Sequence, residues 1–172
     1  EEVMTVFSPK DADAWYLRNK HKLGIGDDPV MDAINACEIY PETVLEIGCA
    51  NGWRLEKLAN RGAYFVYGAE LSGLAIKDAR KLLRKSGKVI RIRRAVSGLL
   101  TMSDMIIHGF NLYITDIQRL TNWVYETDLM LIDGGHIVIH DFLPEHPYSR
   151  IFEHNKELRS RKMDHAQLWL AH

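Results

Sequence analysis

Val44-Leu45-Glu46-Ile47-Gly48-Cys49-Ala50-Asn51-Gly52 reads as a strand feeding a small-residue loop that opens a helix. At such a junction free backbone N–H groups point into the crevice, and small residues let a ligand approach the main chain. A dinucleotide site there needs glycines in a G-x-G-x-x-G pattern. Here Ala50 and Trp53 occupy the second and third glycine positions, and Trp53 is expected to obstruct close approach. Glu46, inside the strand end, would face the phosphates of a dinucleotide at an electrostatic cost. Glu70 stands at the end of the next strand, where an acid can accept both hydroxyls of a ribose. These residues together ask for a nucleoside with no phosphates and some positive charge.

The elements that must position this loop alternate. Thr43 to Ile47, Tyr64 to Ala69, Val89 to Arg93, Asp104 to His108 and His136 to Phe142 read as strands, the last entered through Asp133-Gly134-Gly135. Helices are expected over Ala12 to Lys22, Val30 to Tyr40, Gly52 to Asn60, Gly73 to Lys85 capped by Ser72, and Asp116 to Leu131 opening on its acidic cap. Alternating strand and helix implies an α/β fold with a mostly parallel sheet between two helical layers. The segment after Phe142 reads as loop and helix.

The chain has 172 residues, 47% apolar and 26% charged, a composition that excludes a disordered tail or a disulfide scaffold. A single domain is expected, with 1–29 as an N-terminal arm or lid, 30–142 as the core and 143–172 as a C-terminal loop and helix. Twenty-two Lys plus Arg oppose 23 Asp plus Glu, so no global field draws it to nucleic acid or membrane. No apolar run is long enough to span a bilayer. With only Cys37 and Cys49, a reducing, cytoplasmic compartment is expected.

Glu46-x-Gly48-x-x-x-Gly52 with a second-strand Glu70 resembles the class I S-adenosylmethionine-dependent methyltransferases. The likeness extends through Asp104 to Phe110 and through Asp133 to Phe142, covering residues 15 to 142 in order of elements as well as motif. It implies a Rossmann-like three-layer sandwich with S-adenosylmethionine as cofactor. Glu46 would lie near the methionine amino end, and Gly48, Cys49, Ala50, Asn51 and Gly52 would cradle the cofactor. Glu70 would bind the ribose and Leu71 the adenine. Two departures stand out. The residue after strand three is Ser97, a weak substitute for the family's acidic or amide contact to the adenine. The family's closing antiparallel hairpin is expected to be lacking or truncated.

Methyl transfer from a sulfonium is an in-line displacement, so alignment and exclusion of water matter most, and a base is needed only for an acceptor that keeps its proton. His108, His140 and Asp141 at strand ends are the candidate acid–base groups; for His140 the bland alternative is a strand cap. Trp15, Tyr16, Tyr113 and Tyr148 are candidate acceptor contacts, with core packing as the alternative for each aromatic. The arm could close over the cofactor, with Arg18 pairing its carboxylate. His136 and His140 stand about 13 Å apart along a strand, too far for one ion, and no metal is expected. Asn111-Leu112-Tyr113 lacks the prolines of DNA amino-methyltransferases. The nine basic residues between Lys77 and Arg94 suit a solvated helix face and a charged edge strand better than RNA.

The reading that results is a methyltransferase acting on an oxygen or nitrogen of a small-molecule acceptor of the sugar or secondary-metabolite type. A non-catalytic cofactor-binding module, an RNA methyltransferase using residues 77–94 and a nicotinamide-dependent reductase are the competing readings.

Overall fold

Five short runs of β-branched and aliphatic residues pair side by side in a computed structural model of the chain, which describes residues 7–84, 90–94 and 101–170. They are β1 (Thr43–Ile47), β2 (Phe65–Glu70), β3 (Ile90–Arg94), β4 (Ser103–Gly109) and β5 (Leu131–His140). Every pairing is parallel and the spatial order is β3-β2-β1-β4-β5. Parallel strands need a crossover each. These are α3 (Trp53–Arg61), α4 (Gly73–Leu83) and α5 (Ile117–Met130), while α1 (Pro9–Asn19) and α2 (Pro29–Ala36) precede the sheet. The expected α/β fold, a parallel sheet between helical layers, is what is found.

The apolar sides of the helices fill both faces of the sheet. On one face Val30 and Ile34 of α2 and Leu55 and Leu58 of α3 pack against Val44, Val66, Met105 and Ile107. On the other, Trp123 and Met130 of α5 cover Leu45, Ile47 and Ile106. The predicted caps are present: the Ser72 hydroxyl accepts the Ala75 N–H, and the Asp116 carboxylate accepts the Arg119 N–H. α2 stops at Ala36, short of Tyr40, because the chain turns at Glu38 with a positive φ of 53° before Pro41.

Two expectations are corrected. Asp133-Gly134-Gly135 is not a turn ahead of the last strand. β5 starts at Leu131 directly after α5, and the residues between Leu131 and His136 bulge out of the ladder where β4 advances only from Ser103 to Met105. Gly134 supplies the left-handed φ of 76° that the bulge requires.

The segment after Phe142 is not loop and helix alone. β6 (Tyr148–Phe152) and β7 (Asn155–Lys162) form an antiparallel hairpin, followed by a short α6 (Gln167–Leu170). Among the described residues this hairpin forms a separate two-stranded sheet and adds no strand to the central one. Phe152 and Leu158 seat it against Ile114, Tyr113 and Phe7. Asn155 also donates to Asp11 on α1 at 3.0 Å.

Candidate functional site

All five parallel strands end on one edge, and the strand order reverses between β1 and β4, which opens a crevice there, the usual ligand position in such sheets. The crevice encloses about 910 Å³, part of it open to solvent. Its floor is made by the ends of three neighbouring strands: Ala69, Glu70 and Leu71 after β2, Ile47, Gly48 and Ala50 after β1, and Gly109 and Asn111 after β4.

The loop after β1 is bent by local backbone geometry. Gly48, Ala50 and Gly52 all have positive φ, at 77°, 48° and 74°. At Gly52 a Cβ would come 3.2 Å from Ile92, and at Gly48 it would come 3.3 Å from Asn111, so glycine permits both the turn and the close packing. Ala50 holds the same left-handed region with a side chain, a strained choice that leaves its N–H directed at a carboxylate.

That carboxylate is Glu70. Its Oε2 accepts the Ala50 N–H at 2.7 Å, and its Oε1 accepts the N–H groups of Leu71 and Ser72, each at 2.7 Å. Burial pushes the Glu70 carboxyl upward in pKa, and the three backbone donors pull it back. A carboxylate offers about four lone-pair positions, so one acceptor position remains for a ligand hydroxyl.

Glu46 is held differently from expectation. Arg54, from the first turn of α3, donates through Nη1 to Glu46 Oε1 and through Nε to Asp28 Oδ2 at 3.1 Å. All three side chains are buried and Glu46 does not line the crevice; its Oε2 is enclosed with no partner in the structure. Arg54 and Asp28 escaped sequence reasoning because nothing local marks a pairing across 26 residues. Cys49 is buried as a free thiol, and Asn51 is half-buried and reaches the Tyr16 hydroxyl. Trp53 lies away from the crevice, against Gly24 and beneath Arg54 and Lys57, so it obstructs nothing there.

The arm is a docked helix. Tyr16 donates its hydroxyl to Asp78 of α4 at 3.0 Å, and Asp13 accepts the Ser72 hydroxyl at 2.6 Å. Burial and the Asp78 carboxylate push the Tyr16 phenol up to about 12. Trp15 and Tyr16 consequently line the crevice, while Arg18 is exposed and does not.

Beyond the strand ends the crevice widens between aromatic rings. Phe7, Trp15, Phe110, Tyr113 and Trp123 form the walls, and Asp116 and Arg119 from the start of α5 add the charge. Asp116 serves first as a helix cap, and that local role hides its place in the lining from a sequence reading. Burial raises the Tyr113 phenol, with the Asp141 charge adding to it.

The three residues expected to do acid–base work stand behind this wall. His108 is fully enclosed, 3.3 Å from Thr127 Oγ1 and packed on Trp123 and Trp169, and burial lowers it to about 4. His140 stacks on Phe110 at 4.4 Å between ring centres, and burial lowers its pKa too. Asp141 accepts the N–H groups of Leu112 and Tyr113, each at 3.1 Å, and so shapes the loop carrying the Tyr113 ring. Tyr148 is exposed on β6. Ser97 lies outside the described residues. The exposed residues Arg80, Arg84, Arg91 and Arg93 occupy the α4 surface and the β3 edge. Among the described residues no group of three or more His, Cys, Asp or Glu side chains could hold a metal, and no helix is long and apolar enough to cross a membrane.

No family model matches the chain, and no curated protein does. Solved structures do. The complex of DhpI with SAH aligns with a TM-score of 0.60 at 16% identity, over 90% of this chain and 79% of DhpI. The sugar N-methyltransferase KedS8 of a Streptoalloteichus species aligns with a TM-score of 0.59 at 20% identity, over 81% of this chain and 60% of its own. The StiE O-MT fragment aligns with a TM-score of 0.60 at 18% identity, over 71% of this chain and 46% of its own. At these identities the likeness establishes the Rossmann-like methyltransferase fold.

Proposed function

We propose that this chain is an S-adenosylmethionine-dependent methyltransferase that acts on an oxygen or nitrogen atom of a small molecule of the sugar or secondary-metabolite type. The observation that carries the reading is Glu70, a buried carboxylate with one open acceptor position, beside a left-handed loop at the reversal point of a parallel sheet. Support also comes from the structural neighbours, two of them complexes of DhpI with SAH and with SAM, and another a sugar N-methyltransferase.

The residues present fit the cofactor. Gly48 and Ala50 present main chain without bulk, Glu70 can accept from a ribose hydroxyl, and Leu71 and Ala75 offer an apolar face to a base. When bound, the cofactor supplies an electrophilic methyl group on a sulfonium. The chain's own part is then alignment and exclusion of water: Phe7, Trp15, Phe110, Tyr113 and Trp123 enclose the space where an acceptor would stand. Of the ionisable groups on that wall, Tyr113, Asp116 and Arg119, we assign the acceptor's proton to Tyr113 or Asp116 rather than to the enclosed His108. His140, one ring behind Phe110, orients that wall.

Turnover of labelled S-adenosylmethionine with a panel of amino sugars, hydroxylated sugars and phenols tests the reading. Label transfer to at least one acceptor, reduced at least tenfold by Trp123→Ala with cofactor binding intact, is expected. Binding without any transfer would leave a cofactor-binding module, and tight NAD binding with no affinity for S-adenosylmethionine would replace the reading with a reductase.

A further inference from the structure

The crevice wall carries one cation that a ligand can reach. Among the described residues that line the crevice, Arg119 is the only Lys, Arg or His, and 45% of its side chain is exposed. Its neighbour Asp116 is largely covered. The Asp116 side chain is 14% exposed, its Oδ1 accepts the Arg119 N–H at 3.0 Å as the cap of α5, and its Oδ2 is enclosed without a hydrogen bond.

This asymmetry decides which charge a ligand meets. Arg119 Nε stands 3.5 Å from the enclosed Asp116 Oδ2, so the carboxylate steadies the guanidinium by one edge and leaves the Nη fork for another acceptor. Such a fork matches two oxygens of a carboxylate or phosphoryl group in parallel. A protonated amine is the poorer partner, since it would meet the exposed cation while the carboxylate oxygen that answers it lies enclosed. A second positive charge acts at the same wall. Arg18, exposed on α1, opposes the rise that burial and Asp141 impose on the Tyr113 phenol. Trp15, Tyr113 and Trp123 give the space apolar rings, and the water they exclude would otherwise weaken a charge pair.

From this we infer that the methyl acceptor is an acid: a small molecule with an apolar or ring-bearing body, whose carboxylate or phosphoryl group is bound by the Nη fork of Arg119. The anionic group is the handle by which the acceptor is held. A different oxygen or nitrogen of the same molecule takes the methyl group. The inference rests on the methyltransferase reading above and narrows its acceptor class to acidic members.

Calorimetry on the chain in excess SAH tests this without turnover. The probes are benzoate and phenyl phosphate, with benzamide as the uncharged match for benzoate. At least one acid should bind about tenfold more tightly than benzamide, and Arg119→Met should bring it down to the benzamide level. Arg119→Lys keeps the charge and loses the fork, so it should retain part of the preference, and added salt should weaken the acid alone. Tighter benzoate assigns the handle to a carboxylate, and tighter phenyl phosphate assigns it to a phosphoryl group. Equal binding of acid and amide overturns the inference, as does an acid affinity that survives Arg119→Met, or no binding of either acid. Any of these results beside normal SAH uptake leaves the methyltransferase reading standing, whereas a chain that takes up neither SAH nor acid removes both.

Discussion

The Glu70 carboxylate accepts the Ala50 N–H at 2.7 Å, and through that bond the end of β2 fixes the loop that follows β1. Glu70 therefore has two duties: it satisfies three backbone donors of two loops, and it keeps one acceptor position toward the crevice.

Replacing Glu70 by Ala should weaken S-adenosylmethionine binding by about 1.5 to 3 kcal/mol, the range for losing one hydrogen bond to a charged acceptor. Calorimetry on Glu70→Ala and Glu70→Gln measures it, and Glu70→Gln should fall between, since it retains a carbonyl acceptor. An unchanged dissociation constant in both variants would remove Glu70 from the binding site.

Arg54 is buried between Glu46 and Asp28, and its removal leaves two enclosed carboxylates without a cation. Arg54→Met should cost about 3 to 5 kcal/mol of stability in urea unfolding. Adding Glu46→Gln should recover part of that loss. Full additivity of the two substitutions would mean that the pair is not coupled.

His108 gives the fold an acid-sensitive group. Its pKa is depressed from 6.5 to about 4 by burial, so between those values the unfolded chain binds the proton that the folded chain refuses. Stability is then fully present above pH 6.5 and falls with acidification through that window, by about 3 kcal/mol for this one group. Denaturant titrations across pH 4 to 7 should show the slope, and His108→Leu should flatten it. An identical slope in the variant would assign the sensitivity to other groups.

Leu158 of β7 is buried against the loop that carries Tyr113. Leu158→Ala should cost about 2 to 5 kcal/mol as a cavity. Because the hairpin backs the acceptor wall and not the loop after β1, the acceptor KM should rise while cofactor affinity stays level. Equal losses in both would indicate general unfolding.

The parallel sheet was legible because its signals are local: aliphatic runs ended by glycine, Ser72 and Asp116 as caps, and alternation of element types. The loop after β1 and Glu70 were legible for the same reason. The hairpin was not. In Asn155–Lys162 the inward positions include Leu158, Ser160 and Lys162, so polar residues break the apolar alternation that marks a strand. Its Glu153-His154 turn also lacks the usual glycine. Phe110, Trp123 and Asp116 line the crevice through tertiary packing, and their local sequence reads only as helix, cap or core. The histidines stand elsewhere than their chemistry suggests: His108 is enclosed and His140 packs against Phe110, and neither lines the crevice.

The proposed activity depends on the crevice at the carboxyl ends of β1, β2 and β4 taking S-adenosylmethionine. Isothermal titration of the folded chain with S-adenosylmethionine, SAH and NAD measures this. One equivalent of S-adenosylmethionine should bind, SAH should compete with it, and NAD should give no heat. Absence of heat from both sulfur compounds, with the chain shown folded by circular dichroism, would mean that the crevice is not a site for this cofactor.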